Sequence, residues 1–124
     1  MSRHINPLAG RPDKLEANAF RAIGRLRGMR AFERRHLHPL RTLEDRDLVC
    51  EIGFHQGHHR PLTLRQIYGL EIGSVATVQR RLRRLRHEGW IRQARSERDR
   101  RTLEFALSPK SLQVFDQYSA LLGP

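Results

Sequence analysis

Five arginines, at positions 80, 81, 83, 84 and 86, fall within seven residues of the stretch VATVQRRLRRLRH, and no acid intervenes before Glu88. Like charges at helical neighbour spacing repel one another, a cost that a polyanion would relieve. A guanidinium is a planar fork matched to phosphate oxygens and to the major-groove edge of guanine. The chemistry on offer is therefore recognition of a nucleic acid, not bond-making. A second basic cluster, Arg98, Arg100 and Arg101, follows in Ser96-Glu-Arg-Asp-Arg-Arg101. Residues 74–101 hold ten of the chain's 24 basic residues and three acids.

Ser74 is placed to cap a helix running to about Glu88. Val75, Val78, Leu82 and Leu85 project to one side of it. The other side presents Ala76, Thr77, Arg80, Arg83, Arg84 and His87, flanked by Gln79 and Arg81. The small Ala76 and Thr77 allow close approach to base edges, where Gln79 and Arg80 make directional hydrogen bonds. Arg83, Arg84 and Arg86 lie further along, where phosphates are met. A helix this charged for solubility alone is the plainer alternative.

Gly89 ends that helix. Trp90 and Ile91 open an extended run, and Thr102 to Ser108 returns with alternating Leu103, Phe105 and Leu107, so residues 91–108 read as a hairpin with a charged tip. Upstream, Thr63-Leu-Arg-Gln66 is a capping box opening a short helix with Leu64, Ile67 and Leu70. Glu71-Ile-Gly73 then turns into the arginine helix, which makes the pair a helix-turn-helix. A hairpin directly after the second helix makes it winged, with the tip placed for backbone or minor groove.

The supporting elements follow. Asp13 caps a helix to about His36 whose Leu15, Ala19, Ala22, Leu26 and Met29 form a heptad-like seam, widened by Phe20 and Ile23. Its length exceeds what a small core needs, so part of the seam is expected to meet a second subunit. Thr42-Leu-Glu-Asp45 resembles a second capping box, before a helix burying Leu48, Val49 and Ile52. Ser108-Pro109 opens a last helix with Leu112, Phe115, Tyr118 and Leu122 as its apolar stripe. Residues 1–12 read as a flexible basic arm, and Gly10-Arg11-Pro12 resembles the core of minor-groove hooks. The expected division is arm 1–12, dimerisation helix 13–38, winged helix 42–108 and packing or dimerisation helix 109–124. The fold class is mainly α with a small β-hairpin, one domain by length.

Composition agrees. The chain has 124 residues, a formal charge of +11 and 22 arginines against Lys14 and Lys110. Net charge speaks to partners, and this sign favours nucleic acid or an anionic surface. The excess is divided: residues 1–41 and 74–101 each carry net +7, while 42–73 carry −2 and 102–124 carry −1. The lone Cys50 excludes an internal disulfide framework. No apolar run approaches the ~20 residues needed to cross a bilayer, and the N-terminus lacks a signal-peptide pattern. A soluble intracellular protein is expected.

The pattern Ser74-x-Ala-Thr-Val78, Leu82-x-x-Leu85, Gly89-Trp-Ile91, Asp99-Arg-Arg101 and Leu107-Ser108 resembles the MarR family of bacterial winged-helix transcription regulators, over residues 43–109. The resemblance implies a homodimer on a pseudo-palindromic operator, with paired recognition helices in successive major grooves. It also implies a wing arginine in the minor groove, here Arg101, held by Asp99, with Arg98 and Arg100 as neighbours. The expected DNA-contacting set is Ser74, Ala76, Thr77, Gln79, Arg80, Arg81, Arg83 and Arg84 on the helix, with Arg98, Asp99, Arg100 and Arg101 on the wing. The chain departs from the family at Pro124, where relatives continue into a long dimerisation helix, so the first helix is expected to supply more of the dimer contact.

The expected partners are double-stranded DNA and a second copy of the chain, with a small-molecule effector unidentified, no membrane and no cofactor. Other readings stand beside this one. His55, His58 and His59 offer a candidate metal site, though their spacing matches no finger motif, and Cys50 a redox-sensing one. An architectural or RNA-binding winged helix would use the charge without reading sequence. A winged helix that contacts protein is a third alternative. Catalysis has little support, since no Gly-rich phosphate loop or apolar-set carboxylate pair is present.

Overall fold

A computed structural model describes residues 10–11 and 13–123. The elements are α1 (Lys14–His36), α2 (Leu43–Gly57), α3 (Leu64–Tyr68), α4 (Val75–His87), β1 (Ile91–Arg95), β2 (Leu103–Leu107) and α5 (Pro109–Leu122). This is the mainly helical winged arrangement that the sequence implies. Of the N-terminal arm, only Gly10 and Arg11 are described, both exposed; the rest of residues 1–12 lies outside the described residues.

Local side-chain chemistry starts every helix. Asp13, Thr42, Thr63, Ser74 and Ser108 each accept a hydrogen bond from the backbone three residues on, satisfying a donor that the first turn leaves open. The Thr63–Gln66 box closes in both directions, at 3.2 and 2.9 Å. The Thr42–Asp45 pair does not: Thr42 accepts from Asp45 N at 3.1 Å, but the Asp45 carboxylate turns away to arginines of α4. At the end of α4, Gly89 takes φ 82°, Gly89 N donates to Arg86 O at 3.1 Å and Trp90 N to Leu85 O at 2.8 Å. These two bonds form a Schellman stop, which needs a left-handed residue where glycine fits.

The core lies where α2, α3, α4 and the hairpin meet. Leu48, Val49 and Ile52 of α2, Ile67 of α3, Val78, Leu82 and Leu85 of α4, and Ile91, Phe105 and Leu107 of the hairpin are buried around Trp90. Val75, expected on that buried side, is 53% exposed; it starts the helix beyond the edge of the core. The strands pair antiparallel from Ile91↔Leu107 to Arg95↔Leu103, and an isolated bridge joins Glu104 to Thr63. Phe105 N donates to Leu62 O at 2.9 Å, so the segment entering α3 flanks the wing as a third extended piece. Helix α2 sits tightly on the wing root. A Cβ on Gly53 would lie 2.8 Å from Leu107 Cδ1, and Gln56 Oε1 accepts from Leu107 N at 2.7 Å.

Helices α1 and α5 pack on each other. Phe32 meets the Tyr118 ring edge-on at 4.8 Å, and Tyr118 Oη donates to Glu33 Oε1 at 3.1 Å, while Arg46 of α2 bonds Glu33 Oε2, also at 3.1 Å. Glu33 thus ties α1, α2 and α5 together. Burial, followed by the Glu33 bond, pushes the Tyr118 hydroxyl up to about 12, so it remains a donor at neutral pH. The apolar stripe of α5 is only partly used: Tyr118 is buried, but Leu112 and Leu122 are exposed. On α1, Met29 and Phe32 pack on the core, whereas Leu15, Phe20, Ile23 and Leu26 stand free in this single chain.

Candidate nucleic-acid interface

Helix α4 spans 13 residues, or about 20 Å at 1.5 Å per residue, and is slim enough for a major groove about 12 Å wide. Val78, Leu82 and Leu85 hold it to the core. Ala76, Gln79, Arg80, Arg83, Arg86 and His87 are exposed, with Ser74 exposed at the cap. Thr77 is half-buried and works inside the first turn: Ser74 Oγ donates to Thr77 Oγ1 at 3.0 Å, and Arg80 Nη2 donates to the same oxygen at 3.4 Å. Gln79 Nε2 donates to Tyr68 Oη at 2.9 Å, which orients one expected base-reading side chain through a residue of α3.

Two of the expected DNA-facing arginines are placed differently. Arg81 Nη1 bonds Asp45 Oδ1 at 3.0 Å and Thr42 Oγ1 at 2.7 Å, and Arg84 Nη2 bonds Asp45 Oδ2 at 2.6 Å. Arg81 and Arg84 therefore belong to an interhelical ion cluster, not to the outer face with Arg80, Arg83 and Arg86. Asp45 is wholly buried. Burial by itself pushes its carboxyl up, but the hydrogen bonds and charges of Arg84 and Arg81 outweigh this and hold it below its ordinary value.

A carboxyl depressed in the fold adds stability above its unfolded value, near pH 4, and that contribution is lost as pH falls through the folded value. Thermal melts of wild type and Asp45→Asn are expected to converge as the buffer is taken from pH 7 down toward pH 3. At pH 7 the variant should be less stable by about 2–3 kcal/mol, below the usual cost of breaking a buried pair because the arginines keep some solvent.

The wing tip is built around Ser96, which is 8% exposed. Its Oγ accepts from Arg98 N at 3.2 Å and Asp99 N at 3.4 Å, and its own N–H closes the hairpin on Thr102 O at 2.8 Å. Asp99 Oδ1 accepts from the backbone N of Arg101 at 3.1 Å and from its Nε at 3.3 Å, and Thr102 Oγ1 donates to Oδ2 at 3.3 Å. These bonds, that from the Arg101 backbone first, hold the Asp99 carboxyl below its ordinary value. The rest of the Arg101 guanidinium projects outward, its side chain 92% exposed. Arg98 and Arg100 are exposed beside it, and Arg95 Nη1 braces the tip by donating to Arg100 O at 2.9 Å.

Wing and helix-turn-helix face a common side. A cleft of about 500 Å³ runs between them, lined by Arg65 and Tyr68 of α3 and by Arg101, Thr102 and Leu103 of the wing. Tyr68 in turn touches Gln79 of α4, so one continuous edge carries Arg101, Arg65, Tyr68 and Gln79.

Solved structures with this arrangement include Staphylococcus aureus MepR in complex with DNA, at TM-score 0.62 and 20% identity, covering 85% of this chain and 82% of that one. A mutant form of Escherichia coli MarR aligns at TM-score 0.53 and 15% identity, over 93% and 79% of the two chains. The fold is that of MarR. No family model and no curated protein sequence matches significantly, so the MarR-type likeness lies in the course of the backbone and in the short motifs around α4 and the wing.

The other candidate sites do not assemble. No group of three or more His, Cys, Asp or Glu side chains converges among the described residues. His55 Nδ1 lies 2.9 Å from Glu51 O and His58 Nδ1 2.9 Å from Phe54 O, and the two rings flank Phe54 instead of sharing a centre. His59 takes φ 58° in the exposed loop beyond α2. Cys50, the redox-sensing candidate, is exposed, yet the partial burial of its thiol, then Asp47, Glu51 and Glu33, push it up, away from the reactive thiolate.

Asp45, Ser96, Tyr68 and Arg65 are the site residues that sequence reasoning missed. A signal existed for the first: at about 100° per residue Arg81 falls only about 60° from Val78, on the flank of the core. An arginine there needs a buried acid.

Proposed function

We propose that this protein is a sequence-specific double-stranded DNA-binding transcription regulator that acts as a homodimer, with α4 in the major groove and the wing at the minor groove. The observation that carries the reading is the wing tip. Asp99 pins the Arg101 backbone and Nε while leaving its guanidinium in solvent, on the edge continuous with Gln79 and the arginine face of α4. An arginine projected this way suits the negative potential of a narrow minor groove. MepR, whose fold is similar, has been crystallised with DNA, which supports the same use here.

The second copy is the natural cover for the free face of α1, where Leu15, Phe20, Ile23 and Leu26 are exposed. A dimer also turns one α4 into two, and paired recognition helices set a half-site spacing of about one helical turn, or multiples of it.

Within this reading Arg80 reads a base edge, Arg83 and Arg86 meet phosphates, and Arg101 enters the minor groove. Arg80→Ala is expected to cost about 1–3 kcal/mol on the preferred site and to relax preference at one base position. Arg101→Ala should weaken binding most on sites with A·T-rich flanks. Both are measured by titrating a duplex panel at fixed salt. Equal losses on every sequence for both variants would point to charge-only binding, the mode of an architectural or RNA-binding winged helix.

A further inference from the structure

Of the five arginines on α4, two are already held in ion pairs inside the fold, Arg81 and Arg84 by Asp45 and Arg84 also by Glu88 at 3.5 Å. The Asp45 carboxylate, with no exposed surface, takes one oxygen to Arg81 and the other to Arg84, and Arg81 also donates to the Thr42 hydroxyl that caps α2. The two arginine side chains retain only 21% and 28% of their exposure. They sit one turn apart on α4, so one acid grips the helix at two points and fixes its rotation about its own axis. We infer that Asp45 is a positioning residue that withholds Arg81 and Arg84 from the DNA backbone, leaving Arg80, Arg83 and Arg86 as the arginines α4 offers.

The inference deepens the DNA-binding reading and rests on it. Turning Arg84 outward to a phosphate would leave the buried Asp45 Oδ2 without its partner and break the 3.5 Å pair of Arg84 with Glu88, a loss that one solvated phosphate contact does not offset. The consequence concerns specificity. Non-specific affinity grows with each phosphate neutralised, whereas base reading does not. Holding two arginines back lowers the background on random DNA, and fixing the roll of α4 keeps Ala76 and Arg80 directed at base edges.

The test is the salt dependence of binding to a random-sequence B-form duplex, since each phosphate contact contributes about 0.9 to the slope of log K against log salt. Arg83→Gln is expected to flatten the slope by about 1, and Arg84→Gln and Arg81→Gln to leave it unchanged. Asp45→Asn should steepen it by about 1–2, because Arg81 is released and Arg84 keeps only its 3.5 Å pair with Glu88. A purely structural role for Asp45 would lower affinity without steepening the slope. If a single substitution unfolds the chain, the triple variant Asp45→Leu/Arg81→Met/Arg84→Met, which removes the cluster in one step, is expected to keep the wild-type slope. Arg84→Gln flattening the slope as much as Arg83→Gln, or the triple variant flattening it by about 2, overturns the inference. A wild-type protein that binds no duplex sinks the DNA-binding reading itself, a separate result.

Discussion

Placing glutamates at positions 15 and 23 of α1 is expected to split the proposed dimer and, with it, to lower affinity for a two-half-site operator by about 10²–10⁴-fold, the advantage that linking two binding modules confers. Leu15 and Ile23 are 79% and 57% exposed in the single chain, so Leu15→Glu/Ile23→Glu removes little packing from the monomer and should leave its melting temperature nearly unchanged. A dimer interface that buries this strip would instead have to desolvate two carboxylates per chain, which it cannot do without partners. Sedimentation of wild type and variant reports the assembly, and titration on full and half operators reports the consequence. The variant should bind the two DNAs alike. A variant that still sediments as a dimer would move the contact to another face, such as the exposed Leu112 and Leu122 of α5.

Trp90→Ala is expected to cost about 3–5 kcal/mol of folding stability, a large share of the roughly 5–15 kcal/mol that a domain has. The residue stands at the joint of α4, the wing and α5. Its N–H closes α4 on Leu85 O, and its carbonyl accepts from Ser108 N and Ser111 Oγ, which start α5. Its ring is 1% exposed, with Lys110 Nζ 5.0 Å above the centroid. Losing the ring would loosen α4, the wing and α5 at once. Trp90→Phe should cost less, because a smaller cavity opens and the indole Nε1 has no hydrogen-bond partner among the described residues to forfeit. Urea unfolding followed by circular dichroism measures both; fluorescence would lose its reporter, since this is the chain's one tryptophan.

The features legible in the sequence are those written within a few residues of themselves. Ser74, Thr63 and Ser108 announce helix starts because a cap bonds its own third neighbour, and Gly89 announces a stop because only the local backbone decides it. The period of Val78, Leu82 and Leu85 betrays the buried side of α4, and the alternation of Leu103, Phe105 and Leu107 betrays the returning strand. Asp45 shows where this reasoning ends. Its place three residues after Thr42 mimics a capping box, yet its carboxylate serves arginines 36 and 39 positions away, and no local pattern carries that pairing. The same holds for Gln79, whose amide is oriented by Tyr68 eleven residues earlier. Val75, Leu112 and Leu122 fit apolar stripes whose ends overrun the surface that the core provides.

The proposed function makes this chain one of a pair of heads that together read DNA sequence. Its most direct test is footprinting on genomic fragments in the presence of excess random competitor. The expected result is a small set of protected sites, each with two inverted half-sites about one helical turn apart, and with protection that survives a salt concentration that strips the competitor. Uniform protection that fades on all fragments together as salt rises would contradict it.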